Sequence, residues 1–220
     1  MKSFTVVTAE QRSPEWFAAR LGRVTGSVAD VLYKEGRKKG EESVQRRDLR
    51  LRLACERLSG LSLDEDFAKP DYVERGTDME PAAFAAFEAV TGLVAHRTGF
   101  LASKTHHAGC SLDGHVGDFD GILELKCPKT FTHMKYLRAA VVPADYVPQI
   151  THNVWISGAQ RAWFMSFDNR LPSGLDVFIA PIERANLDID GHRQRVIAFL
   201  QEVDEEMQYL RGLMPQMAVA

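Results

Sequence analysis

Asp113, Glu124 and Lys126 are of types, and at spacings, that could act together on a phosphodiester. They lie in two stretches, Cys110-Ser111-Leu112-Asp113-Gly114 and Gly121-Ile122-Leu123-Glu124-Leu125-Lys126-Cys127-Pro128, that both read as β-structure. The segment Gly114 to Gly121 between them is rich in Gly and Asp and suits a turn or hairpin. Ile122, Leu123 and Leu125 would anchor a strand, and Glu124 and Lys126, two residues apart, point to one face of it. With Asp113 on the neighbouring strand, two carboxylates and an ammonium converge. Carboxylate oxygens suit a hard cation such as Mg²⁺, and two such ions about 4 Å apart can hold the attacking and leaving oxygens of a phosphodiester. The same pattern also describes the charged face of a surface strand, and the residues around it have to decide.

Several other side chains offer chemistry together with a plainer role. Trp16 and Arg20 are one helical turn apart and share a face, so the arginine is either a surface charge or is held by the indole to point into a site. Thr25-Gly26-Ser27 opens a helix, where hydroxyls and bare N–H groups make an anion site or simply a cap. Glu80 stands in what reads as a first helical turn, suited to dipole capping or to reaching a metal. Gln149, His152 and Asn153 form a polar stripe, odd for a core and ordinary for solvent or a site. His106 and His107 have no third ligand at a zinc spacing.

The elements that must position these groups can be read in order. Ser13-Pro14-Glu15-Trp16 starts a short helix that Gly22 follows. Thr25-Gly26-Ser27 leads into a helix from Val28 to about Tyr33. A basic loop over Gly36 to Gly40 precedes a helix from Glu41 to Leu58, with Val44, Leu51 and Leu58 on its apolar side and arginines on the other. Asp78-Met79-Glu80-Pro81 starts a helix that runs to about Thr91 and ends at Gly92. Leu93 to Leu101 reads as a strand. Beyond Pro128, helices are expected over Thr130 to Ala140 and Tyr146 to Ser157, strands over Arg161 to Phe167 and Leu175 to Ile182, and a last helix over about Leu187 to Leu213. This order predicts an α/β fold, a central mixed β-sheet flanked by helices.

Composition bounds the rest. The chain has 220 residues, 45% hydrophobic and 26% charged, which is a globular balance. No repeat or low-complexity linker divides it, so residues 1–220 are expected to form one domain. No apolar run is long enough to cross a bilayer, and the first residues lack the apolar core of a signal peptide. Cys55, Cys110 and Cys127 are odd in number and widely spaced, which fits a reducing, cytoplasmic setting. The formal net charge is −3, but Lys34 to Arg57 carries nine basic against five acidic side chains, a local net of +4. That segment is either a face for nucleic acid or a solvated helix, and Glu202, Asp204, Glu205 and Glu206 offset it in the total.

Taken together, the residues resemble the λ exonuclease (YqaJ-type, phage alkaline exonuclease) family of the PD-(D/E)xK nuclease superfamily, from about Ser13 to about Phe167. The resemblance is carried by Trp16 with Arg20, Val24-Thr25-Gly26-Ser27, Gly76 and Glu80. It continues through Ser111-Leu112-Asp113-Gly114, Leu123-Glu124-Leu125-Lys126-Cys127-Pro128, and Gln149 after Pro148. The family more often has Pro where this chain has Leu112.

The resemblance implies a restriction-endonuclease-like core and a set of roles. Asp113 and Glu124 would be metal ligands, with the Leu125 carbonyl as a third. Glu80 would be a further ligand or water-holder, Lys126 would position or activate the water, and Gln149 would support the site. Arg20, Ser27 and Ser111 would hold a terminal 5′-phosphate. The cofactor would be two Mg²⁺ ions, replaceable by Mn²⁺. The implied reaction is processive 5′→3′ hydrolysis of one strand of double-stranded DNA from a free end, leaving a 3′ overhang. The implied assembly is a toroidal homotrimer, bacterial or phage-encoded, working with a single-strand annealing protein and no membrane. An endonuclease of the same superfamily would share Asp113, Glu124 and Lys126 without an end pocket. A non-catalytic DNA-binding protein on this fold is the remaining alternative.

Overall fold

The computed structural model describes residues 2–38, 40–63 and 71–214, with residues 71–78 described by backbone alone. Met1, Lys39 and the side chain of Asp78, which enter the readings above, lie outside that description. Among the described residues no helix is long and apolar enough to cross a membrane.

The fold is mixed α/β, with helices flanking two mixed sheets. The first sheet has the order β1 (Phe4–Val7), β4 (Phe100–Ser103), β5 (Ala108–Ser111) and β2 (Val24–Thr25), antiparallel except where β2 joins β5 in parallel. The second has the order β3 (Ala95–His96), β6 (Gly114–Val116), β7 (Gly121–Lys126), β8 (Arg161–Phe167) and β9 (Val177–Glu183). In it β7 and β8 run parallel, and the other neighbours are antiparallel.

Both faces of β7 and β8 are covered, which is why these strands are apolar along most of their length. On one face Ile122 and Phe164 join the larger core with α5 (Val147–Ser157), α6 (Ile189–Gly212) and α2 (Val44–Ser59). On the other, Leu123, Leu125, Trp163 and Met165 pack against Met79, Phe84 and Phe87 of α3 (Asp71–Thr91). Alternation along β7 thus sends Glu124 and Lys126 toward α5 and the two leucines toward α3.

Several elements match their expected spans closely. These are α1 (Pro14–Arg20), capped by Ser13, whose side chain accepts from the Trp16 N–H at 3.2 Å, α4 (Thr130–Ala139), α5 and β8. Others differ. The helix after Thr25 is a 3₁₀ helix over Gly26–Tyr33. The strand expected over Leu93 to Leu101 is two strands, β3 and β4, in different sheets. The helix expected to begin at Asp78 begins at Asp71, so Pro81 lies inside it and Glu80 is not at its N-terminus.

On α2 the expected apolar side is wrong: Val44 is 61% and Leu51 44% exposed, while Leu49, Leu53 and Ala54 are buried. The reason is the acidic partner helix. Arg46 bridges Glu42 and Glu202, Arg50 bridges Glu42, Glu202 and Glu206, and Arg57 meets Asp204. Largely buried arginines therefore share the α6-facing side with Leu49, Leu53 and Ala54, and Val44 and Leu51 turn outward.

Candidate active site

The site is built on the β6–β7 hairpin. Gly114 pairs with Leu123, so Asp113, one step earlier, faces Glu124. Asp113 is tied down by its own target strand, its Oδ2 accepting the Leu125 N–H at 2.6 Å. Glu124 is 1% exposed. Its Oε1 lies 2.5 Å from Lys126 Nζ, and its Oε2 accepts from Asn153 Nδ2 of α5 at 3.2 Å.

Burial dominates the electrostatics. It raises the Glu124 pKa to about 7, with Lys126 pulling down and Asp113 pushing up. It also raises the Asp113 pKa, against the ammonium of Lys126 and the Leu125 N–H. Burial works against the Lys126 charge, but the two carboxylates outweigh it and hold the ammonium above its ordinary value. A buried carboxylate pair held together by one cation is a place where further positive charge is favoured.

Glu80 reaches the same cleft from α3, where Arg97 Nη2 lies 3.3 Å from its Oε2. Burial raises its pKa, against the pull of Arg97 and Arg12 and with a push from Asp113. Among the described residues no three His, Cys, Asp or Glu side chains stand close enough to enclose an ion. Asp113 and Glu124 do offer an all-oxygen pair beside a strand carbonyl. That donor set fits Mg²⁺, which commonly takes one or two carboxylates and fills its octahedron with water and substrate phosphate. The residues present therefore fit such an ion, which Asp113, Glu124 and the Leu125 carbonyl would hold, with Glu80 lining the same cleft.

The structure brings Arg20, Ser27 and Ser111 together. Arg20 Nη1 donates to Ser111 Oγ at 3.2 Å and Nη2 to Ser27 Oγ at 3.3 Å. The guanidinium carbon lies 4.0 Å over the Trp16 ring, and Trp16 Nε1 donates to the same Ser111 oxygen at 3.0 Å. With both lone pairs of Ser111 Oγ engaged, its proton is left to donate outward. Ser27 also pairs with Thr25 Oγ1 at 3.1 Å. A charged fork and hydroxyl donors in one place have the chemistry that would suit a phosphate monoester. A cleft of about 1490 Å³ joins Ser27 to Asp113, Leu125 and Lys126.

Gln149 sits one turn before Asn153, its Cγ against Gly26 at 3.4 Å from where a Cβ would be. His152 of the same stripe serves the interior. Its Nε2 is 3.1 Å from the Gly109 carbonyl and its Nδ1 3.0 Å from His192 Nε2, whose Nδ1 is 2.7 Å from the Tyr33 hydroxyl. The Gly109 carbonyl can only accept, so the chain runs in one direction: Tyr33 O–H to His192, His192 to His152, His152 to Gly109.

Asn153, Tyr146, Arg97 and Gln11 carry roles around the cleft that the sequence reading did not assign. The Asn153 signal was present in the polar stripe. Tyr146, whose ring lies 5.3 Å from Lys126 Nζ, was visible only as a helix start. Arg97 and Gln11 gave no local signal.

A family model, the YqaJ-like viral recombinase domain, matches residues 15–160. Among solved structures, the chain is similar to LHK-Exo, an alkaline exonuclease from Laribacter hongkongensis solved in complex with dAMP. Identity is 35%, coverage is 91% of this chain and 97% of that chain, and the TM-score is 0.79. A second structure of LHK-Exo gives 33% identity at the same coverage and TM-score 0.79. A phage-related exonuclease from Haemophilus somnus 129PT shares the fold at TM-score 0.62, with 16% identity over 86% of this chain and 96% of that one. No curated protein sequence matched significantly.

Proposed function

Because the chain belongs to the YqaJ-like viral recombinase family and is a deoxyribonuclease of that class, we propose that it is a divalent-metal-dependent 5′→3′ exonuclease. In this reading it degrades one strand of duplex DNA processively from a 5′-phosphorylated end and leaves a 3′ overhang for strand annealing. The observation that supports the reading is that Arg20 and Ser111 are hydrogen-bonded around one centre with Ser27, and that Ser27 lines the cleft that also holds Asp113 and Lys126. An enzyme releasing mononucleotides must find the end again after each cut, and each cut leaves a new 5′-phosphate one nucleotide further on. LHK-Exo binding dAMP, a deoxynucleoside monophosphate, is in keeping with a mononucleotide product.

Asp113, Glu124 and the Leu125 carbonyl hold the metal, two Mg²⁺ ions or Mn²⁺ in their place, with Glu80 as a further ligand or water-holder. When bound, the metal lowers the pKa of water and stabilises charge on the phosphodiester oxygens. Lys126 steadies the nucleophile, and Asn153 and Gln149 hold the Glu124 side of the site. Arg20, Ser27 and Ser111 fix the terminal phosphate. We extend the proposal to one nuclease domain over residues 1–220, supported by the two cores that share β7 and β8, and to a cytoplasmic, ring-shaped trimer with an annealing partner, by resemblance alone.

Digestion of linear duplex with 5′-phosphate or 5′-hydroxyl ends, beside closed circular duplex, tests the function. Faster loss of the phosphorylated strand in Mg²⁺, with circles intact and EDTA abolishing it, supports the reading. Cutting of circles would make the enzyme an endonuclease instead.

A further inference from the structure

Arg12 stands where a turn favours glycine. The Ser13 N–H donates to the Glu10 carbonyl at 3.0 Å and closes a four-residue turn. Arg12, its third residue, has φ 72°. A positive φ at the third position of a turn is the place for Gly or Asn, because a Cβ there crowds the following carbonyl. The strain is not a stray feature of a loose loop. Gln11, the second residue, donates through Nε2 to the Leu112 carbonyl at 3.3 Å, which pins the turn to the main chain between Ser111 and Asp113.

A strained arginine in a fixed turn invites a functional reading, and its surroundings supply one. Arg12 is exposed and lines the cleft that holds Asp113 and Lys126. Arg97 lines it too, 57% exposed although paired with Glu80. Neither guanidinium is among the groups found around Arg20, which include Ser27, Ser111 and Trp16. Glu10 also lines the cleft, so the wall is not uniformly basic, and the two arginines mark particular points on it. Elsewhere the basic helix α2 turns Arg46, Arg50 and Arg57 onto acids of α6 or of its own N-terminal flank.

We propose that Arg12, together with Arg97, binds an internal phosphate of duplex DNA, a backbone contact separate from the terminal-phosphate receptor. The proposal rests on the nuclease reading above. It adds a residue that holds the body of the substrate rather than its end.

The test is equilibrium binding of a short duplex, with a 5′-phosphate or a 5′-hydroxyl, in EDTA, for wild type, Arg12→Gly and Arg12→Lys across a salt series. Glycine suits φ 72°, so Arg12→Gly keeps or raises the melting temperature while removing the cation. One lost phosphate contact lowers the slope of log affinity against log salt by about 0.9. The wild-type advantage therefore shrinks roughly 3.5-fold between about 50 and 200 mM salt. Arg12→Lys keeps the wild-type slope. The loss is the same for both duplexes, because the terminal phosphate is not what Arg12 holds. An unchanged slope in Arg12→Gly overturns the proposal, and so does a loss confined to the phosphorylated duplex. Wild type that binds neither duplex, in EDTA or with Ca²⁺ in its place, overturns the nuclease reading itself, a separate outcome.

Discussion

Gly26→Ala should disable the enzyme without altering a proposed metal ligand or any residue of the proposed phosphate receptor. Gly26 packs against α5 so closely that a Cβ would stand 2.2 Å from Asn153 Oδ1 and 3.1 Å from its Cγ. Ordinary contact begins near 3.4 Å, so the amide would have to withdraw by more than 1 Å. Asn153 is 1% exposed and cannot swing into solvent. Withdrawal therefore takes Nδ2 away from Glu124 Oε2, now 3.2 Å distant. A hydrogen bond to a charged group contributes about 1.5–3 kcal/mol, and a misplacement of about 1 Å in a catalytic group costs on the order of 10²-fold in rate. Overpacking adds a stability cost of about 1–3 kcal/mol. Initial rates on a 5′-phosphorylated linear duplex, with thermal melts of the same samples, measure both. The control is the pair Gly26→Ala/Asn153→Ala. Alanine at 153 removes the amide that clashes, so the double variant should match Asn153→Ala alone in rate and in melting temperature. Wild-type activity in Gly26→Ala, or a double variant that loses the sum of the two single effects, would refute the argument.

Asp113→Ala and Lys126→Ala should each abolish cleavage in Mg²⁺ and leave the circular-dichroism melt cooperative. For the lysine, a loss of about 10²–10⁴-fold is the usual size of a proton-transfer role, and near wild-type digestion would make it only a counter-charge for Glu124. Arg20→Ala should erase most of the preference for 5′-phosphorylated over 5′-hydroxyl duplex, a charge-assisted contact of about 1.5–3 kcal/mol; equal rate ratios in the two proteins would remove Arg20 from the receptor. Stability should depend on pH through the buried His152 and His192, whose pKa values burial lowers to about 3 and about 4. As pH falls below the unfolded value near 6.5, only the unfolded chain takes up their protons, so each histidine costs up to about 1.4 kcal/mol per pH unit until its folded pKa is reached. Glu124, raised to about 7, works in the opposite sense. The histidine part is therefore read as the difference between wild type and His192→Gln: the variant should lose less stability from pH 6 to pH 5 in denaturant melts, and parallel profiles would sink the idea.

Local signals served well wherever a residue's role is set by its near neighbours. Ser13 and Pro14 marked α1, Gly92 closed α3 in a left-handed conformation, and alternation along Ile122 to Lys126 put Glu124 and Lys126 on one face. The grouping of Arg20 with Ser27 and Ser111 came from resemblance, since nothing in local pattern joins residues over 80 positions apart. Signals failed where a distant partner changed what a side chain wants. Arg46 and Arg50 read as a solvated face or a face for nucleic acid, but Glu202 and Glu206 of α6 turn them inward. Pro81 read as a helix start because proline is best tolerated there, yet α3 begins ten residues earlier. The strand over Leu93 to Leu101 broke in two because its ends pair with different strands, β6 and β1.

The parallel pairing of β7 with β8 also sets the order in which the chain can become active. The β6–β7 hairpin closes locally, but the other edge of β7 waits for residues 161–167, and Glu124 waits for Asn153 between them. Parallel partners need a crossover and form late, since loop closure precedes any reward from pairing. At synthesis rates of about 5–20 residues per second, the gap from Lys126 to Phe167 is roughly two to eight seconds of translation. Throughout that interval the carboxylates exist without the strand and helix that fix them. A chain still on the ribosome therefore carries the proposed cutting centre unassembled, and under that proposal hydrolysis of nearby DNA would begin only once the second half of the sheet has been made.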